Sequence, residues 1–519
     1  MVQTTRRQRL DHGTIDILSA DRDYSMSTYD FGLAVQFRLI LAAVADVIRR
    51  YMRDTQTTSA VAGPENTRLK TGGPPQRRRW PGIVGVALVV LVLIVSLIAA
   101  VAPSVLPASP RLDEDTRKVA ALVIFVASYL ALAIGKIPGH RIDRAGVALV
   151  GAGLMVASGV LPLEDAYKAI DLDTITLLLG MMIVVASLRL SGFFVIATTW
   201  VLEHAKRPLI LLCAVTATSG IFSAFLVNDA ICLVLAPLVL DLTLRMGRKP
   251  APYLLTVAMA SNVGSTATIT GNPQNIMIGS FSQIPYTTFT LALGPIALVG
   301  LVITVGLVAL CHREEFAGGG QMTAVRVNIR VNRVLVGRAL VATAAMVILF
   351  FVGQPPAKAA IIIGGLLLLT RRVKSERVYA EIDWSLLLMF VGLFIIVAGA
   401  QRALLTPDLV ARVSRLHLDQ IPILSAVTAV LSNLVSNVPA VLMMKPFVES
   451  LPDHATAWLT IAMASTLAGN FTILGSIANL IVVQKAATRG VEIGFWDYFR
   501  VGAPLTVITL VIGMLWMWL

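Results

Sequence analysis

The chain has 519 residues, of which 56% are hydrophobic and only 14% charged, against about 25% charged in an ordinary soluble domain. A mean hydropathy of +0.79 excludes a soluble enzyme, a disordered protein and a coiled coil, and points to a chain that crosses a membrane many times. Lys and Arg outnumber Asp and Glu by 43 to 30, a net charge of +13; on a membrane protein this excess belongs to cytoplasmic loops and calls for no nucleic-acid partner.

Residues 1–81 read as a basic cytoplasmic region, partly disordered, with Arg6, Arg7, Arg9 and Arg77 to Arg79. Within it, residues 31–51 suit a short amphipathic helix on the membrane surface, and Met26 is a second candidate start. The first long apolar run begins near Ile83, too late for a signal peptide. Residues 82–118 therefore supply one extra N-terminal span, at 83–103.

A crossing needs about 20 apolar residues. Ten further crossings are predicted at 119–135, 145–161, 174–190, 252–283, 291–311, 336–352, 357–370, 384–401, 456–484 and 501–518. Segments 208–246 and 421–448 are apolar but carry a polar break, at Asn228-Asp229 and Ser436-Asn437. They are expected to be re-entrant hairpins. Segments 252–283 and 456–484 are too long for one helix and contain Gly, Thr and Asn, so they are expected to be broken helices. With the N-terminus in the cytoplasm, the loops that fall inside are the basic ones, among them 136–144, 245–250, 312–335 and 371–381, as the positive-inside rule requires. Loop 402–420 falls outside despite its arginines, and is expected to hold an interfacial helix like 192–206.

An internal repeat carries the most information. TVAMASNVGSTATITGNPQN (256–275) aligns without a gap on TIAMASTLAGNFTILGSIAN (460–479), with nine of 20 positions identical. Asn228 and Asn437 are each followed nine residues later by Pro, and Ile170-Asp171 matches Ile382-Asp383. The predicted fold is thus an all-α polytopic membrane protein of two inverted repeats, residues 119–311 and 336–518, joined by a cytoplasmic linker at 312–335. Each repeat has five crossings with one re-entrant hairpin and one broken helix. Five is odd, so the halves insert in opposite senses, a pattern of secondary transporters.

A broken helix in lipid exposes backbone N–H and C=O groups, each costing several kcal/mol unless bound. Helix N-termini suit an anion or oxyanion, and free carbonyls suit a cation. The candidate substrate- and ion-binding residues are Asn228, Asp229, Ser261, Asn262, Thr268, Gly271 and Asn275 from the first half, with Ser436, Asn437, Thr472, Gly475 and Asn479 from the second. Ser and Thr also pack between membrane helices, so each has a structural alternative. Asp229 has Val438 as its counterpart; a lone carboxylate at such depth is costly and usually functional, which makes it the candidate proton carrier. Lys445 is either a coupling or anion-binding group or a side chain that reaches outward to the surface. Asp171 and Asp383 look like helix N-caps.

With these residues in view, the chain resembles the superfamily of arsenite permeases, divalent-anion:sodium symporters and citrate-type carriers, over residues 119–518. The hairpin tips resemble the paired Ser-Asn-Thr signatures of its dicarboxylate branch, but keep only the asparagines and one serine. Asn228 to Pro237, Asn437-Val438-Pro439, Thr472 to Gly475 and Phe495 to Arg500 look more like the arsenite permease branch, and Thr270 to Asn275 resembles bacterial anion permeases of the same superfamily. The resemblance implies elevator-like transport of an anion or oxyacid, arsenite-like, coupled to H⁺ or Na⁺, in a homodimer set in the lipid of a bacterial inner membrane. A Na⁺/H⁺ antiporter on the same fold is the alternative; it needs more carboxylates than Asp229. Three cysteines without a CxxC and six histidines without HExxH give no reason to expect disulfides, bound metal or a cofactor. A membrane enzyme lacks its constellation, and an ATP-driven pump its GxxxxGK[ST].

Overall fold

The computed structural model describes residues 114–134, 142–205, 207–316, 332–369, 373–406, 413 and 415–519. Residues 1–113 fall outside the described residues. The predicted surface helix at 31–51, the span at 83–103 and most of the linker 312–335 also lie outside them.

The described residues are helical and form no strand. The first half runs α1 (Glu114–Ile134), α2 (Arg144–Ala157), α3 (Leu163–Ala169), α4 (Leu172–Ser191), α5 (Phe193–His204), α6 (Pro208–Phe225), α7 (Asn228–Arg245), α8 (Pro250–Ser265), a 3₁₀ turn (Ile269–Gly271), α9 (Pro273–Ser282) and α10 (Tyr286–Cys311). After α11 (Arg313–Phe316) come α12 (Arg333–Phe351), α13 (Pro356–Leu368), α14 (Ser375–Tyr379), α15 (Trp384–Leu404), α16 (Ile421–Val435), α17 (Asn437–Val448), α18 (His454–Ala468), a second 3₁₀ turn (Ile473–Gly475), α19 (Ile477–Ala487) and α20 (Phe495–Trp518). Among the described residues, seven helices are long and apolar enough to cross a membrane.

Local chemistry sets several boundaries. Asp171 accepts from the amides of Asp173 and Thr174 at 3.0 and 3.2 Å, and Asp383 from that of Leu386 at 3.0 Å. Both are the N-caps expected of them. In the first described turn of α1, Lys118 pairs with Glu114 at 2.8 Å one turn away, a spacing that supports a helix through polar sequence. Within the segment 192–206 the chain is helical over Phe193–His204, whereas much of 402–420 lies outside the described residues.

The contacts between halves are exchanged in pairs. The helix α4 packs on α13, and α15 on α2. A Cβ at Gly180 would sit 2.6 Å from the Ala360 carbonyl carbon, and one at Gly392 would sit 2.5 Å from that of Ala148. No side chain fits at either close approach. At the ends of the same helices, Arg189 pairs with Glu381 and Arg402 with Asp165. Each half thus supplies the same two surfaces and receives the other's.

Candidate functional site

Both apolar segments with a polar break fold as two helices meeting at a tip. Between α6 and α7 the link is Leu226-Val227; between α16 and α17 it is Ser436 alone. Val227 (φ 55°) and Ser436 (φ 77°) both adopt positive φ. A β-branched valine rarely does so, and such strain persists where surrounding structure fixes it, often at a functional site. Neither tip helix has a side-chain cap, so the first-turn amides of α7 and α17 carry unshared donors.

The two long segments break as predicted. Each runs helix, 3₁₀ turn, helix, and the same bonds close both breaks. Asn275 Nδ2 donates to the carbonyls of Ser265 and Thr268 at 3.1 and 3.0 Å. Asn479 Nδ2 donates to those of Gly469 and Thr472, the repeat-related residues, at 2.8 and 3.1 Å. The following helix is capped from within: Asn272 accepts from the Asn275 amide at 2.8 Å, and Ser476 from that of Ala478 at 3.3 Å. Gly271 and Gly475 let the chain fold back on itself, since a Cβ on Gly475 would lie 2.8 Å from Gly469 O and one on Gly271 would strike Ser265 O.

The two breaks are bonded to one another. Asn262 donates to Asn479 Oδ1 at 3.0 Å and to Asn470 Oδ1 at 2.9 Å, and accepts from Ser476 Oγ at 3.1 Å. From the other half, Thr466 accepts from Asn272 and Gln274 at 3.1 and 3.2 Å and donates to Asn275 Oδ1 at 3.4 Å. Residue 262 aligns with 466, 272 with 476 and 275 with 479, so this bonding too is reciprocal. The tips attach to the same network. Asn228 Nδ2 donates to Asn262 Oδ1 at 3.0 Å. With its amide turned to satisfy both ends, Asn437 donates to Gly475 O and accepts from Gln274 Nε2, each at 3.2 Å.

A cavity of about 30 Å³ lies where these parts meet, room for about two waters on the rule that one needs roughly 10–15 Å³. The tip residues Asn228, Asp229, Ser436 and Asn437 line it, and so do Gln274 and Ser476 at the starts of α9 and α19. Four helix N-termini therefore face one space. Leu132 of α1, Arg144 of α2, and Leu386 and Met389 of α15 also line it. The Asn228 Oδ1 is buried and has no hydrogen-bond partner among the described residues.

Of the twelve predicted site residues, Asn228, Asp229, Ser436 and Asn437 line this cavity. Asn262, Gly271, Asn275, Thr472, Gly475 and Asn479 form the breaks and the bonds behind it. Ser261 accepts from Cys232 Sγ at 3.0 Å, and Thr268 donates to Ala224 O. Lys445 places its Nζ 4.1 Å from the centre of the Phe281 ring, a cation–π contact away from the cavity. Arg144 was read from sequence only as a loop charge. A signal for it exists, because a cation in the first turn of a helix opposes the helix dipole and needs a reason to be there.

Residues 129–468 match the family model described as citrate transporter, CitMHS. The chain belongs to this family. It is 29% identical over 427 residues to an uncharacterised transporter of Mycobacterium tuberculosis, covering 77% of this chain and 98% of that protein. It is 29% identical over 464 residues to the silicon efflux transporter LSI3 of Oryza sativa subsp. japonica (76% and 96% covered) and 24% identical over 513 residues to a Dictyostelium discoideum transporter named arsB (76% and 91%). Among solved structures, the YdaH transporter of Alcanivorax borkumensis aligns with a TM-score of 0.47 at 13% identity, over 78% of this chain and 97% of that one. The chain is a multi-pass membrane transporter and not an enzyme.

Proposed function

We propose that this CitMHS protein carries a small oxyacid, of the arsenite or silicic acid kind, through the cavity between the two tips, in exchange for protons taken up by Asp229. The convergence of four helix N-termini on one cavity carries the reading. These donors favour oxygen atoms with negative or partial negative charge, while the unpartnered Asn228 Oδ1 accepts a hydroxyl donor. A neutral polyhydroxy acid offers both kinds of group. The size of the cavity suits such a molecule better than a tricarboxylate, and the names of the rice and Dictyostelium relatives lean the same way.

The reciprocal contacts support an inverted-repeat arrangement. In it the hairpins and broken helices shift together against α1, α2, α4, α12, α13 and α15. Asp229 is the carboxylate among the cavity's lining residues, which favours proton coupling over a Na⁺/H⁺ antiporter. The test is flux into proteoliposomes under an imposed pH gradient, with arsenite, germanic acid as a silicic acid analogue, citrate, and a sodium gradient as controls. Wild-type protein moves arsenite or germanic acid with the pH gradient, and Asp229→Asn, inserted and monodisperse, does not. Citrate flux, flux driven by sodium alone, or undiminished flux in Asp229→Asn overturns the reading.

A further inference from the structure

A second cavity, of about 90 Å³, adjoins the first, and Asp229 and Leu386 line both. Its walls come from α4 between Met182 and Arg189, from α7 and its tip between Val227 and Val234, and from Glu381 and Asp383 ahead of α15. Met182 and Arg189 lie about 10 Å apart along α4, so the cavity reaches from the strained tip at Val227 to the end of that helix. There Arg189 pairs with Glu381, and both side chains reach solvent. The starts of α2 and α15 meet at the same end, where Ser385 donates to Asp143 at 3.2 Å. Leu132, Arg144, Leu386 and Met389, which line the first cavity, all lie within two turns of these helix ends. The tips therefore stand close to the membrane face on which α4 ends, and the second cavity spans the distance between.

The first cavity, with four helix N-termini and Arg144 around it, attracts anions and uncharged oxyacids alike. A preference between them has to be made on the way in. Arg189 is the cation among the residues that line the second cavity, and Glu381 occupies it. The remaining ionisable groups there are Asp229 and Asp383, the latter capping α15 through the Leu386 amide at 3.0 Å.

We propose that the second cavity is the entry path for cargo on this face, and that Glu381, by occupying Arg189, makes the path pass uncharged molecules and turn anions away. This deepens the oxyacid reading above and rests on it for the identity of the cargo. An anion in this cleft is stripped of water beside carboxylates and meets no unpaired cation among the lining residues. An oxyacid without charge escapes both costs. Glu381 is on this account a specificity-determining residue that acts ahead of the site. The repeat builds the matching pair, Arg402 with Asp165, at the other end of α15 and hence at the opposite face.

The experiment reads the path without any cargo. Ala230→Cys sets a thiol beside Asp229 on the wall of the second cavity, in a full chain whose exposed Cys213 and Cys311 are changed to Ser. The protein is held in lipid nanodiscs and labelled with an anionic or a cationic methanethiosulfonate. Each rate is followed by mass spectrometry and divided by that of a free thiol, and the chain with buried Cys232 alone gives the baseline. The cationic label is expected to be the faster of the two. Charge lining a cleft alters the on-rate of an ion by about tenfold or more, so Glu381→Gln, which frees Arg189, should lower the cationic-to-anionic ratio by about that factor. Arg189→Gln, which frees Glu381, should raise it to a similar extent. Either variant carries the test if the other does not fold. Asp165→Asn, which breaks the pair at the opposite face, should leave the ratio where it was. A thiol at position 230 that reacts only once the protein is unfolded overturns the proposal. So does an unmoved ratio in a folded Glu381→Gln or Arg189→Gln, or an equal movement in Asp165→Asn. A moved ratio beside a failed flux assay keeps the path and removes only the choice of cargo. An unmoved ratio beside proton-driven arsenite flux removes the path and leaves the proposed function standing.

Discussion

Asn275 and Asn479 test whether the broken helices are held by their own side chains or by cargo. Asn275→Ala removes the donor to two buried carbonyls, Ser265 O and Thr268 O, at 3.1 and 3.0 Å. Thr268 O keeps the Gly271 amide and Ser265 O keeps Asn272 Nδ2, both at 3.4 Å, so two hydrogen bonds are lost at about 0.5–1.5 kcal/mol each, a total of about 1–3 kcal/mol. Asn479→Ala removes the matching bonds to the Gly469 and Thr472 carbonyls, of which Thr472 O keeps the Gly475 amide at 3.0 Å; each change also deletes an acceptor in the other break, of Asn262 or of Thr466, so the two losses are expected to be similar. Entropy of unfolding grows with chain length, and by that scaling 1 kcal/mol moves Tm by about 1–2 °C in a chain of this size. The expected fall is about 1–6 °C in thermal unfolding followed by fluorescence-detected size exclusion in detergent. Asn275→Asp, which fills the space but cannot donate and sets a charge beside two carbonyl oxygens, is expected to be worse than Ala. An unchanged Tm with transport lost would refute the reasoning, because it would mean the asparagine holds substrate and not the break.

Three further outcomes are expected. Gly180→Ala and Gly392→Ala press a methyl against the Ala360 and Ala148 backbones; each should cost about 1–3 kcal/mol, to a similar extent, seen as a lower Tm. Ser436→Gly relieves a positive-φ serine (φ 77°) and should raise stability by about 1–3 kcal/mol, again read by Tm. Asp453 caps α18 through the Thr456 amide, and that hydrogen bond holds its carboxyl below the usual carboxylate range. A depressed value adds stability above the unfolded value and loses it as pH falls through the folded one. The Tm advantage of wild type over Asp453→Ala should therefore be present at neutral pH and shrink under acid conditions.

The breaks were legible because Gly, Thr and Asn recur at the same positions of two aligned segments, and a side chain that must rescue a helix end is a local matter. Asp171 and Asp383 were legible for the same reason, since a cap bonds only two or three residues ahead. The division of labour among the polar residues was not. Asn262 meets Asn470 and Asn479 only through the fold, more than 200 residues along the chain, and nothing local separates a residue facing the cavity from one supporting it. The strained tip at Val227 ran against expectation, because a β-branched residue disfavours positive φ. Arg144 was hidden by its company, one basic residue in a loop of several.

The exchanged contacts also set a timetable for synthesis. Asp143 waits for Ser385, Asp165 for Arg402 and Arg189 for Glu381, partners 242, 237 and 192 residues further on. At about 5–20 residues per second, the first-half helices stand in the bilayer for roughly 10–50 s with their packing faces uncovered. In that interval those faces meet lipid, the insertion machinery or another copy of the chain. Slowed translation between the halves should therefore lower the yield of folded protein more than the same pause placed after α15.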